Sequence, residues 1–361
     1  MGSKRLWLGL AVTLVFLGLL LLRVDLGETV ESLADANFLY LVPGIGLYFI
    51  AVLFRTLRWR FLLWHMKPIS TGRLLPVVVV GYMANNLLPF RLGEVVRSYY
   101  LGQREEVSKS AALATIGLER VFDGLTLLLL LAVAALLKDN LLQDLAERSG
   151  IPVYLLILGT VAPFVTVLSL MIAAARRPGW PIRVIAPLAC RLPKRVGPNL
   201  VELTGLFISG LASLRDLRRV QILLLLSLPV WLLEASMLYV IGFSFGLQDH
   251  FSTQVEMAAV ILAVTATSNL ATSLPSSQGG IGPFEFFAIG TLEVLGVPIQ
   301  VATAYTITMH AALLLPVVVA GLATLWWQNI SFRNLSRMGG DEGELEGIAA
   351  REAAATEKKP W

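Results

Sequence analysis

Cysteine is almost missing from this chain: Cys190 is the single one in 361 residues, which excludes an internal disulfide, a thiolate metal cluster and a CxxC redox pair. Histidine is nearly as scarce. His65, His250 and His310 are too scattered for metal-ligand spacing, so no metal and no other cofactor is expected. There is no phosphate-binding loop, no zinc signature and no Ser/His/Asp set with readable spacing. The chain therefore reads as a non-enzyme, and ATP-driven work would need a separate subunit. Charge is thin as well, at 15% against about 25% in soluble domains. The net +4 sits in particular loops, so it speaks to orientation in a membrane rather than to nucleic acid.

What the sequence has is apolar length. It is 56% hydrophobic with a mean hydropathy of +0.72. Runs such as 6–22 and 125–137 are continuously apolar over helical lengths, without the alternation of a membrane β-barrel. An all-α polytopic membrane protein is expected. Lys4 and Arg5 precede the first run as they would in a signal peptide, but it is long for that role and lacks a small-x-small site before Arg23. It reads as a span.

Loop charges set the topology. After the first span, Arg23 stands against Asp25, Glu28, Glu31 and Asp35, a balance of −3. The second span, about 38–54, is followed by Arg55, Arg58, Arg60, Lys67 and Arg73 with no acid, a balance of +5. The positive-inside bias places the second loop and the amino terminus in the cytoplasm. The span at about 110–137 ends in a weakly acidic, external loop. Residues 74–108, interrupted by Pro76, Gly81, Asn85, Asn86 and Pro89, must then enter and leave on the cytoplasmic side as a re-entrant hairpin.

The span at about 153–175 returns to a loop, 176–219, carrying +7. Within it Leu200, Leu203, Phe207, Leu211 and Leu214 recur at helical spacing, as in a helix on the membrane surface. The spans at about 221–246 and 301–327 run outward and inward. The segment 257–297, split at 274–280, becomes a second hairpin entering from outside. Half one (about 6–137) and half two (about 153–327) thus form an inverted-topology repeat, with six full transmembrane helices plus two oppositely oriented re-entrant hairpins. Counting each hairpin as a span gives eight. Both termini are cytoplasmic, residues 1–330 form the transmembrane domain, and 339–361, rich in Gly, Glu, Ala and Lys, is expected to be a disordered tail. In transporters such repeats put the substrate site at the broken helices near the midplane.

The candidate site residues follow from that placement, because an ionisable side chain inside a membrane must be paired or face a watery cavity. Glu119 and Asp123 lie at i and i+4 with Arg120 beside them, roughly 15 Å into the bilayer at 1.5 Å per residue from Lys109. They form either a self-contained structural ion pair or part of a pathway. Arg91, Glu94 and Arg97 share a face at spacings of three, and Arg91 at a hairpin tip suits a phosphate, because guanidinium binds phosphate oxygens bidentately. The alternative is a snorkelling interfacial arginine. Asn85, Asn86, Pro89 and Gly93 complete the first break; Ser268, Asn269, Pro275, Gln278, Gly279, Gly280, Gly282 and Glu285 make up the second. There the glycines and Pro283 open a helix N-terminus that either points N–H groups at an anion or simply turns the chain. Glu234 and Glu293 read as capped or solvated acids, and His310 as a satisfied core histidine rather than a proton relay.

The run N-x-L-x-P-x-R-x-G-E (Asn85, Pro89, Arg91, Gly93, Glu94), then E-R-x-x-D (Glu119, Arg120, Asp123), and later Pro275, Gly279, Gly280, Gly282 and Glu285 resemble the lysylphosphatidylglycerol synthase transmembrane region, also called the flippase-like domain family. The Arg58–Trp59 pair also looks like the family. The resemblance covers essentially residues 1–330. In fused members it implies a domain that moves an aminoacylated phospholipid between leaflets, with a soluble domain that synthesises it. No synthase domain is expected after the last span here, so lysylphosphatidylglycerol itself is not implied as substrate.

The expected function is an inner-membrane lipid translocase in a bacterium or archaeon, moving an amphiphilic, phosphate-bearing lipid through a polar groove between the two hairpins. Two alternatives stay open: a secondary transporter of a soluble anion, and a non-transporting partner of an envelope-lipid or glycolipid biosynthetic enzyme. The oligomeric state is open.

Overall fold

The computed structural model describes residues 3–88, 92–190, 197–273 and 278–328, and these fold into helices joined by short turns. Helix α1 (Ser3–Leu21) is followed by α2 (Leu26–Ala34), α3 (Leu41–Leu63), α4 (Thr71–Leu87), α5 (Gly93–Glu105), α6 (Lys109–Leu137) and α7 (Leu141–Ser149). The second half runs α8 (Val153–Arg176), α9 (Gly179–Ala189), α10 (Gly197–Gly210), α11 (Leu217–Gly242), α12 (Gln254–Ala271), α13 (Pro283–Val294) and α14 (Ile299–Trp327). Large apolar side chains stand exposed along α8 and α14, including Leu158, Leu170, Leu315 and Val319, as expected for helices whose solvent is lipid.

Among the described residues, six helical stretches are long and apolar enough to cross a membrane: Phe38–Leu63, Lys109–Leu137, Val153–Arg176, Leu217–Phe245, Gln254–Ala271 and Ile299–Trp327. The expected number of full spans is six, but the membership differs. The first apolar run is not among the six: its part from Leu10 to Leu21 meets α2 at a bend of 87°, and it makes a seventh span if that bent pair is counted as one. There Asp25 caps α2, its Oδ1 accepting from Gly27 N at 2.7 Å and from Glu28 N at 3.3 Å. Conversely α12, read from sequence as half a hairpin, is itself long enough to qualify. Helix α3 continues nine residues past the expected end at Phe54, and this carries Arg55 and Arg58 into the protein.

Where the two hairpins were expected stand two helix pairs, α4–α5 and α12–α13. In the first, the chain doubles back so closely that a Cβ on Gly93 would lie 2.3 Å from Asn85 N and from Gly81 O, and one on Gly81 would lie 2.9 Å from Arg97 Cβ. Only glycine permits this approach of two backbones. In the second, Gly279, Gly280 and Gly282 take φ of 66°, 78° and 100°. Pro283 opens α13, and Glu285 reaches back to accept the Gly282 N–H at 2.7 Å.

The halves pack reciprocally. Helix α3 lies on α11 at the centre, α4 lies on α14 as α12 lies on α6, and α5–α6 matches α13–α14. The three pairs are antiparallel: Gly44 meets Ile241 while Arg58 meets Ser227, Met83 meets Gly321 while Asn86 meets Leu314, and Lys138 pairs with Glu256 while Asp123 and Asn269 line one cavity. Helix α8 packs along α6 but is the least buried of the spans, Ala175 being its one fully buried residue and Leu168, Met171 and Ile172 packing only in part. The helix expected along the membrane surface is α10, yet it packs against α6, where a Cβ on Gly210 would lie 2.3 Å from Ala111 O. The tail 339–361 lies outside the described residues.

Candidate functional site

The site begins with α3. Arg55, Arg58 and Trp59 fall at i, i+3 and i+4, so one helical face carries two guanidinium groups and an indole. All three are buried, Arg58 with 1% and Trp59 with 0% of its surface exposed. A charge at that depth needs close partners, and three other helices supply them.

Helix α6 contributes Glu119, Arg120 and Asp123. Asp123 Oδ1 accepts from Arg58 Nη1 at 2.7 Å and from Trp231 Nε1 of α11 at 3.0 Å, while Arg120 Nη2 lies 3.2 Å from Asp123 Oδ2. Glu119 takes its hydrogen bond from Arg97 of α5 at 2.7 Å and lies 3.7 Å from Arg58. Arg58 also donates to Ser227 of α11 at 2.9 Å. Arg55 pairs with Glu234 of α11 and lies near the rings of Tyr82 and Trp231, 5.2 and 5.0 Å from their centroids. Arg97 rests 3.7 Å above the Trp59 ring, and Trp59 in turn donates to Thr115 at 3.0 Å. Glu94 sits 3.7 Å from Arg120.

Four arginines and four carboxylates thus balance in one network spanning α3, α5, α6 and α11. It is not the self-contained pair on α6 that spacing allows: Glu119 turns to α5 and α3, and Asp123 ties α3 to α11. Even so, the arginine donors are not all satisfied. Arg55 Nε, Arg58 Nη2, Arg97 Nε, Arg97 Nη2 and Arg120 Nε are buried without a hydrogen-bond acceptor, and buried donors left unmade are costly. Arg55, Arg120 and Asp123 line a half-open cavity of about 240 Å³, joined by Asn269 and Ser273 from the end of α12 and walled on the far side by Pro163, Phe164 and Val167 of α8.

A second cluster holds the other break. His310 of α14 is buried; its Nδ1 lies 2.6 Å from Glu285 Oε1, its Nε2 lies 3.2 Å from Gly279 O, and Phe284 stacks on its ring with centroids 4.0 Å apart. The two breaks meet at Asn86, whose carbonyl oxygen is 3.9 Å from where a Gly279 Cβ would stand and whose amide donates to Leu314 O at 3.5 Å.

Of the residues expected at the site, Glu94, Arg97, Glu119, Arg120 and Asp123 come together, with Asn269 on the shared cavity. Gly279, Gly282 and Glu285 assemble around His310, while Gly280 packs against Thr272. Asn85 and Gly93 form the close crossing of α4 and α5. Ser268 turns its hydroxyl to Val264 O at 2.6 Å, inside its own helix, and Gln278 is exposed. Pro89, Arg91 and Pro275 lie outside the described residues. Sequence reasoning missed Trp231 and Ser227, set Arg55 and Arg58 together among loop charges with the Arg58–Trp59 pair noted only for the family resemblance, and read Glu234 as a capped or solvated acid. An acid in the middle of an apolar span and a cation pair at i, i+3 were the available signals.

A polytopic helical membrane protein with a charge-balanced network buried beside a polar cavity is the class that this fold and site define. The chain belongs to the lysylphosphatidylglycerol synthase transmembrane region family, whose model matches residues 6–321. Among its relatives is a UPF0104 membrane protein of Methanothermobacter thermautotrophicus, 26% identical over 313 residues, or 82% of this chain and 88% of that one. Another is the glycosyltransferase AglD of Haloferax volcanii, 25% identical over 351 residues, which take in 90% of this chain but 54% of AglD.

Proposed function

We propose that the chain is a lipid translocase that moves a phosphate-bearing amphiphile between leaflets and performs no bond-making chemistry of its own. The observation that carries this reading is the cavity between α6, α8, α11 and α12, where Arg55 and Arg120 stand on one wall and apolar α8 side chains on the other. Guanidinium N–H groups without acceptors suit an oxyanion, because Arg binds phosphate oxygens through several parallel donors. An apolar wall on a bilayer-exposed helix suits the chains that follow a head group. The reciprocal packing of the halves supports an inverted repeat, with α4–α5 and α12–α13 as re-entrant hairpins of opposite orientation. Loop charges favour cytoplasmic termini in a prokaryotic cell membrane.

Native mass spectrometry of the mildly solubilised protein tests this. One phosphate lipid class should be enriched on the parent protein and lost from Arg120→Ala. If bound lipids mirror the membrane in both, the lipid reading fails and a soluble-anion transporter takes its place. The match to about half of AglD favours one second reading, in which the domain serves as the membrane partner of a glycolipid enzyme. Under that reading, neutralising the basic 176–219 loop harms the pathway more than Arg120→Ala does.

A further inference from the structure

The cavity has two unlike walls, a charged one on α3 and α6 and an apolar one on α8. On α6, Gly124 follows Asp123 directly and stands one turn beyond Arg120. A Cβ placed there would lie 1.9 Å from Phe164 Cε1 and 2.4 Å from Phe164 Cδ1. The Phe164 ring therefore occupies the space a side chain at 124 would fill, against α6 at the edge of the charged network. Nothing polar holds it there.

The helix carrying that ring is the least buried of the six spans. α8 buries only Ala175, near its far end, and Pro163 lies within it immediately before Phe164. Proline lacks the N–H that would bond the preceding turn, so the helix bends more easily at that point than elsewhere. Elements with few buried contacts and broken hydrogen bonding are those that open at least cost. Parting α6 from α8 would expose Arg120, Asp123 and Asn269 to the bilayer side and break neither the Arg58–Asp123 nor the Arg97–Glu119 pair, since no residue of α8 takes part in them.

We infer that the α6–α8 seam is the lateral portal of the cavity, with Phe164 against Gly124 as its latch, and that it admits the phosphate head group of an anionic lipid to Arg120 while the acyl chains remain in the bilayer. This rests on the lipid reading above and adds the route and the class of head group. A soluble anion needs no apolar seam, whereas a lipid does, because drawing its chains into water exposes every methylene that the bilayer had covered.

The experiment is photocrosslinking in phosphatidylcholine vesicles doped with phosphatidylglycerol, using p-benzoylphenylalanine in place of Phe164 and, as the bulk-lipid reference, in place of Leu158, which is 60% exposed on the same helix. Adducts at 164 should be enriched in phosphatidylglycerol over those at 158 by about tenfold, the scale of one charge-assisted hydrogen bond. The enrichment should vanish in Arg120→Ala and survive excess inorganic phosphate. Equal lipid composition at the two positions overturns the portal; if native mass spectrometry still shows Arg120-dependent lipid, only the route is wrong and the lipid reading stands. Loss of the enrichment to inorganic phosphate overturns both, since the site then takes a soluble oxyanion.

Discussion

Arg58 of α3 and Asp123 of α6 meet at 2.7 Å with 1% and 8% of their side chains exposed, and through this pair the network reaches both halves of the chain, because Asp123 also accepts from Trp231 and Arg58 donates to Ser227. Removing one partner of a buried pair strands the other charge. Arg58→Ala or Asp123→Asn should each cost about 3–5 kcal/mol, and the double variant much less than their sum. Arg58→Lys should not rescue, since one ammonium cannot replace a fork that faces Asp123, Ser227 and Glu119 together. Thermal unfolding in detergent, run as a double-mutant cycle, checks this; additive losses would mean that the pair does not act as a unit.

The crossing of α4 and α5 makes a sharper steric claim. A methyl at Gly93 would meet backbone, Asn85 N and Gly81 O, at 2.3 Å, and backbone cannot swing aside as a side chain can. Gly93→Ala should part the two helices and destabilise by more than about 3 kcal/mol. Gly117→Ala, with nothing within 4 Å of the added carbon, should be neutral or stabilising by up to about 1 kcal/mol. Equal melting temperatures for the two variants would show that the crossing is loose.

These sites also show what the sequence could convey. The helical class, the two broken segments and the acidic and basic residues of α5 and α6 were readable, because apolar length and buried charge leave marks within one helix. The partners were not. Arg55 and Glu234 are 179 residues apart, and Arg58 and Asp123 are 65 apart. A run of arginines after an apolar stretch meets the positive-inside pattern whether it ends a helix or continues it. Likewise α12 and a hairpin arm have the same composition; only its 18-residue length and its packing on α6 set it apart. The bend after α1 did leave a mark, in the capping residue Asp25, but among four acids of one short segment it counted only as loop charge.

Outside the spans, His65 gives a pH dependence. Its Nε2 donates to Ser209 O at 3.0 Å and its Nδ1 lies 3.4 Å from Ser213 Oγ, which suits the neutral ring. Burial holds its pKa below the usual histidine range, and Arg219 and Arg215 add to the shift. The unfolded chain then binds more protons than the folded one, so stability from this group is complete above the ordinary value and falls as pH drops through the folded value. Protection of the amides around 209–215, after correction for the intrinsic exchange rate at each pH, should fall from about pH 8 to about pH 5 in the parent and less in His65→Gln. An identical loss of protection in both would assign the effect elsewhere.

His310 makes the last case, since a single ring ties three elements. It sits between the Glu285 carboxylate of α13 and the Gly279 carbonyl in the break, while its own backbone belongs to α14. Glu285 uses its other oxygen on the Gly282 N–H, so the ring and the carboxylate together hold both sides of a turn whose glycines have positive φ. Without the ring, the Gly279 carbonyl and one carboxylate oxygen lose their partners, a loss of about 1–3 kcal/mol where the group stays buried. His310→Ala should therefore raise amide exchange across 278–285 while leaving α3 and α11 protected. His310→Gln, which keeps a donor, should restore part of the protection. If exchange rises equally throughout the protein, the histidine contributes only to general packing, and the turn is held by Gly282 and Glu285 alone.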